Sequence, residues 1–178
     1  MANNYRIFVE KYPEFQVEAA SLKAELNENL QLDLQSLRLL NVYDLFGFTP
    51  ELLEKSRYSV FGEIVTDKVS DECDLTGTRY IAVEYLPGQF DQRAASAVDC
   101  VHLIDPKADV RIKSSKLIIL SGDTDDATIA KIKHYYINAV ESREKDLSKL
   151  TDAESAAVKP VLVLDGFTKM TDADLEPF

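Results

Sequence analysis

Only two cysteines, Cys73 and Cys100, and two histidines, His102 and His134, occur in 178 residues. No Cys-x-x-Cys pair exists, and His102 near Cys100 lacks the further ligands that zinc requires, which argues against a structural or catalytic zinc site. The short Cys100 to His102 spacing reads as a strand or loop end, where the two side chains would point apart. Six glycines are too few and too dispersed to build a phosphate-cradling loop. There is no Gly-x-Ser-x-Gly and no His-Glu-x-x-His, so no nucleophilic or metallohydrolase set can be assembled, and no catalytic residue is expected. No apolar run approaches the roughly 20 residues that cross a bilayer. The polar opening, Met1 to Arg6, reads as no signal peptide, which gives the expectation of a cytoplasmic protein with both thiols reduced. Positive charge is scarce as well: 20 Lys and Arg face 31 Asp and Glu, for a net charge of −11. The cations are scattered rather than gathered in a stripe, so neither nucleic acid nor an anionic membrane is an expected partner.

What the chain does have is a core-forming composition, 46% hydrophobic, and an internal echo. Ile7, Val9, Glu10 and Pro13 recur 74 residues later as Ile81, Val83, Glu84 and Pro87; Phe15, Ala19, Ala20 and Ser21 recur 75 later as Phe90, Ala94, Ala95 and Ser96. Self-similarity at that period predicts two copies of one folding unit. Residues 5–11 read as a strand, and Phe15, Ala19, Leu22, Leu26 and Leu30 as the stripe of an amphipathic helix. Residues 37–48 read as extended. Thr49-Pro50-Glu51 is a helix start, because Thr caps, Pro fits the first turn and Glu suits the positive end, and that helix is expected to reach about Phe61. A short strand is expected within 62–69 and an acidic connector at 70–77. The order then restarts: a strand at 80–85, a helix striped by Phe90, Ala94, Ala97 and Val101, an extended 110–120, and a long helix over 123–145 with Ile129, Ile132, Tyr136 and Val140 on one face.

The expected fold is therefore α+β: a tandem duplication of a strand-helix-strand-helix unit, with mainly antiparallel sheets, helices packed on one face and a pseudo-twofold axis. Residues 1–149 form this domain, in units of about 5–69 and 78–147. Residues 150–178, with the apolar run 161–167 and an uncompleted helical turn at 171–178, are expected to be a linker toward a region beyond the chain, making the chain a fragment.

Two carboxylate clusters, Asp71/Glu72/Asp74 and Asp123/Asp125/Asp126, match no EF-hand spacing and read as solvated loops and helix caps. Asp91, Gln92 and Arg93 read either as an exposed, capped first turn or as directed hydrogen-bonding groups for a neighbouring domain. Glu18 stands where Arg93 does in the other copy, so the fold alone does not demand arginine there. Asn138 to Arg143 set against Gly62 to Asp67 pairs Val140 with Val65 as packing residues while the polar neighbours differ.

Four segments, Arg6 to Lys11, Asn41 to Phe46, Leu86 to Ser96 and Asn138 to Glu144, together resemble the N-terminal region of large-type phosphoribosylformylglycinamidine synthase, and the Pro87 to Arg93 run is the specific part of the match. The resemblance implies a small-subunit-like, duplicated domain of an ATP- and glutamine-dependent ligase that makes formylglycinamidine ribonucleotide in purine biosynthesis. It implies ATP and Mg for the parent enzyme, no cofactor and no metal in this chain, and the synthetase and glutaminase regions of the same polypeptide as partners. The implied role is docking, and shaping the path of ammonia, with Gly88, Gln89, Asp91, Gln92, Arg93, Ser142 and Arg143 as the candidate inter-domain contacts. The alternative is a freestanding regulatory module that binds a small molecule between its two units.

Overall fold

Ile7, Phe8 and Val9 are consecutive and all buried, so strand β1 (Asn3–Lys11) has both faces covered. That is why it reads as a continuous apolar run rather than an alternation. The structure, a computed structural model, describes residues 3–121, 124–151 and 171. The expected linker segment 152–170, the terminal turn at 172–178 and Asp123 of the second acidic cluster lie outside the described residues.

Pro13 has no amide to offer a ladder and opens a short 3-10 turn, Pro13–Phe15, that leads into α1 (Val17–Leu30). Gln31, at φ 53°, ends α1 by turning its amide back to the Asn27 carbonyl. The Asn27 side chain then accepts from Leu34 N at 2.9 Å, fixing the entry to β2 (Ser36–Phe48). Thr49 Oγ1 accepts from Leu52 N at 3.2 Å and caps α2 (Pro50–Ser56), which runs on as a π-helical turn to Phe61, as its start signal predicts. The remaining elements are β3 (Asp67–Ser70), β4 (Arg79–Tyr85), α3 (Gln92–Ile104), β5 (Arg111–Ser121), α4 (Asp126–Tyr136) and β6 (Ser142–Glu144).

All strand pairs are antiparallel, and they form one six-stranded sheet in the order β3-β1-β2-β5-β4-β6. The fold is α+β. The order is a palindrome, and the registers agree with it: Ile7 faces Tyr43 as Ile81 faces Ile118, and Glu10 faces Lys68 as Glu84 faces Arg143. At the centre of the long β2–β5 seam Asn41 faces Lys116, two residues that hold equivalent places in the two halves. The turns repeat too, since Glu63 O accepts from the amides of Thr66 and Asp67 as Asn138 O does from those of Glu141 and Ser142.

One face of the sheet carries the buried side chains of all four helices. Ala94, Ala97 and Val101 of α3 cluster with Ile7 and Val9 of β1, whereas Ala19, Leu22 and Leu26 of α1 cluster with Ile81 and Val83 of β4 and Ile132 of α4. Each of these helices thus shares its core with the first strand of the opposite half. On the other face Phe8, Leu40, Val42, Ala82, Leu117 and Ile119 are buried, with Cys73 and Leu75 of the 71–78 connector and Leu147 packed against them.

Four sequence expectations are corrected. The fourth helix ends at Tyr136 rather than near Lys145, because Asn138 Oδ1 takes the Val140 amide at 3.1 Å and the chain turns to pair β6 with β4; Val140, 79% exposed, joins no helical stripe. Its counterpart Val65 is exposed as well, so the two match in position but neither packs. Phe90 precedes α3 and is 75% exposed, so the α3 stripe begins at Ala94. Cys100 and His102 lie within α3, where a two-residue step still sends them to different sides; His102 Nε2 is 3.1 Å from Ala108 O.

Candidate functional site

The segment from Leu86 to Arg93 is a bracket between β4 and α3. Gln89 N bonds Leu86 O at 3.0 Å with Pro87 and Gly88 between them, a type II turn whose third position needs the positive φ of 88° that Gly88 supplies. Leu86 N then bonds Glu141 O at 2.8 Å, and Gln89 Nε2 reaches Val140 O at 3.3 Å, which ties the bracket to the turn before β6. Asp91 finishes it. Its Oδ1 accepts from Ala94 N and Ser114 Oγ, each at 2.9 Å, and its Oδ2 accepts from Ser114 N at 2.9 Å. The β4–β5 ladder stops at Glu84 and Ser115, so the Asp91 carboxylate takes up a strand amide that has no partner from β4 while it caps α3.

Five of the seven candidate contact residues are therefore used inside the domain, Gln89 through its side-chain bond to Val140 O. Gly88 makes the turn and Asp91 the cap. Ser142 Oγ donates to Asn138 O at 3.0 Å, and Arg143 Nε donates to Glu84 Oε1 at 2.9 Å, across the β4–β6 pair. Gln92 is exposed at the start of α3. Among the described residues, Arg93 hydrogen-bonds the Tyr43 hydroxyl alone, at 3.5 Å. Burial works against its charge, but the Tyr43 bond and the nearby Glu18 and Asp91 outweigh that and raise its pKa.

These residues line two adjoining concavities. A cleft of about 1100 Å³ is walled by 86–91, by the β5 segment Arg111 to Ser114 and by the 143–149 tail. A smaller cavity of about 280 Å³ lies against the β2–β5 seam and includes Arg93, Tyr85, Tyr136 and Ser142. Burial holds the Tyr136 phenol above its ordinary pKa, helped by the negative charges of Glu18 and Glu25.

Beneath the cleft runs an ion network that sequence reasoning missed. Arg6 Nε and Nη2 donate to Asp44 at 2.5 and 3.0 Å, Lys145 Nζ lies 2.9 Å from Asp44 and 3.0 Å from Glu84, and Arg143 completes the chain on Glu84. Arg6 also donates to the carbonyls of Leu147 and Lys149, fastening the tail across the sheet. A carboxylate inside the apolar run Val42 to Phe46 was the available signal; nothing in the sequence pointed to Lys145 as its partner.

Four of the six residues in the acidic clusters have local partners. Asp71 pairs with Arg57 at 2.9 Å, Asp74 Oδ1 accepts from Thr76 N at 2.9 Å, Asp125 caps α4 through Thr128 N at 2.7 Å, and Asp126 meets Arg79 at 2.7 Å. Among the described residues no group of three or more His, Cys, Asp or Glu is placed to hold a metal ion, and no helix is long and apolar enough to cross a membrane. Both cysteines are free; burial raises the Cys73 thiol pKa, and Cys100 is exposed. No family model, no curated protein and no solved structure matches this chain.

Proposed function

We propose that the chain is the duplicated, noncatalytic N-terminal domain of a large-type phosphoribosylformylglycinamidine synthase, acting in the cytoplasm as a docking element for synthetase and glutaminase regions and helping to shape the path of ammonia between them. The parent enzyme would use ATP and Mg to convert formylglycinamide ribonucleotide to formylglycinamidine ribonucleotide; this chain would hold neither. The observation that carries the reading is the bracket itself. The run on which the resemblance rests, Pro87 to Arg93, is held by Asp91 and the Gly88 turn, yet it leaves Phe90 and Gln92 exposed beside an open cleft. A loop held in this way that exposes an aromatic and an amide is suited to a protein surface. The palindromic sheet supports the duplicated, small-subunit-like part of the reading.

The test is complementation in trans. The chain is mixed with a large-type synthase that lacks its own N-terminal region, and glutamine-dependent formation of formylglycinamidine ribonucleotide is followed. Activity should require the chain and fall at least tenfold with Phe90→Ser. Equal turnover with and without the chain would reject the proposal.

A further inference from the structure

Each half of the sheet ends in an exposed corner of the same construction. Tyr12 N bonds Thr66 O at 2.9 Å in the first half, and Leu86 N bonds Glu141 O at 2.8 Å in the second, so the loop after the first strand is tied to the turn before the edge strand in the same way. In the first half that tie gathers Tyr12, Ile64 and Val65, and Phe15 joins them because its amide bonds Tyr12 O at 2.8 Å. Phe15 and Val65 recur 75 positions on as Phe90 and Val140, and all four are exposed. A duplicated core explains apolar residues that repeat in the interior; it does not explain an aromatic and a valine that repeat on the surface.

The two corners differ in apolar extent and in charge. In the first, Val17 is 71%, Ile64 73% and Val65 74% exposed, whereas Gln92 and Ala139 stand at the places of Val17 and Ile64 in the second. Glu14, Glu18 and Glu63, all exposed, give way to Gln89, Arg93 and Asn138, and only the exchange of Thr66 for Glu141 runs the other way. Two of the first corner's charges are answered within the domain: Glu18 pairs with Lys116 at 2.7 Å, and Lys11 pairs with the buried Asp67 at 3.0 Å. Among the described residues Glu14 and Glu63 form no ion pair, and the Glu63 carboxylate accepts only from Thr66 Oγ1 at 3.4 Å. Solvated charge is ordinary on a chain of net charge −11, but five large exposed apolar side chains beside it are not.

We propose that the first-half corner docks a protein segment that is both apolar and basic, its apolar side chains covering Phe15, Ile64 and Val65 and its lysines or arginines meeting Glu14 and Glu63. Charge complementarity selects this occupant. A second copy of the corner would set the same carboxylates against each other, whereas a basic segment is steered toward them and neutralises them. An apolar centre with a charged margin is also the ordinary build of a protein interface. The corner lies beside β3, at the opposite edge of the sheet from the Phe90 bracket beside β6, so it does not rest on the docking role of that bracket.

The test is a titration of the isotope-labelled chain, followed through its backbone amide resonances, with an amphipathic peptide of leucine and lysine. Peptides of serine and lysine and of leucine and glutamate, equal in length, are the controls. The leucine–lysine peptide should shift the Phe15 and Glu63 to Thr66 amides saturably and bind there at least fivefold more tightly than at Phe90 and Val140. Ile64→Ser combined with Val65→Ser should weaken it at least tenfold. Glu14→Gln combined with Glu63→Gln should weaken it at least threefold and remove most of the salt dependence. Equal binding of either control peptide, unchanged affinity in either double variant, or shifts centred on Phe90 would each overturn the proposal. Resonances at this corner that move with chain concentration alone would assign it to a second copy and overturn it as well.

Discussion

Asp44 and Lys145 meet at 2.9 Å on the face of the sheet opposite the helices, and neither side chain is more than 5% exposed. A pair this dry gains little from being ionic, because desolvation offsets the attraction. Asp44 also accepts from Arg6, and Lys145 also meets Glu84, so removing Lys145 leaves Asp44 with one cationic partner. Lys145→Ala should therefore destabilise the chain by about 1–3 kcal/mol in urea unfolding, whereas Asp44→Ala, which takes the shared anion from both cations, should cost about 3–5 kcal/mol. Equal losses for the two variants would show that Arg6 does not hold Asp44 on its own.

Asp91 serves a helix and a strand with one carboxylate. Asp91→Ala should cost about 1–2 kcal/mol, the upper end of a lost cap, since the Ser114 amide loses its acceptor as well. Asp91→Asn retains an acceptor for Ala94 and should cost less. Equal losses for both variants would show that charge, not geometry, is what the site needs.

Arg93→Ala and Arg143→Ala should each leave stability within about 1 kcal/mol, as exposed or weakly bonded side chains do. Arg93 has one long bond to Tyr43, and Arg143 pairs with Glu84 while 43% exposed. Chemical unfolding of both variants checks this, and a loss of several kcal/mol would make either one a strut.

Asp67 sets an acid dependence. Burial alone would raise its pKa, but hydrogen bonds from Lys11, the Glu63 amide and Thr66 outweigh burial and bring it below the usual aspartate value. A carboxyl with a depressed folded pKa contributes stability above its unfolded value of about 3.9 and loses it as the pH falls through the lower folded value. The stability gap between the parent chain and Asp67→Asn should thus be full near neutrality and shrink below about pH 4. A gap that stays constant into acid would disprove the linkage.

Much of this was legible in the residues. The 74- and 75-residue echoes anticipated the matching registers, and Thr49-Pro50 marked a helix start that the structure keeps. What escaped were places where partners distant in sequence override local pattern. Ile129, Ile132, Tyr136 and Val140 hold helical spacing, yet β4 offers an edge, and pairing Ser142 and Arg143 to it ends the helix early. Phe15 and Phe90 match in sequence and were both expected on helix stripes, yet each precedes its helix and is exposed. Arg93 in place of Glu18 is legible in the sequence as a difference between the halves, whereas its bond to the Tyr43 hydroxyl is not.

Because α1 covers strands of the second half and α3 covers strands of the first, neither half has a finished core of its own. The chain should melt as one body, with coincident near- and far-ultraviolet transitions and equal calorimetric and van't Hoff enthalpies. Its formation waits on contacts between residues some 75 positions apart, so folding should be slow for its length. Cleaved at the exposed Thr76-Gly77 bend, the two pieces should stay associated under native conditions and, once separated, regain structure only when remixed.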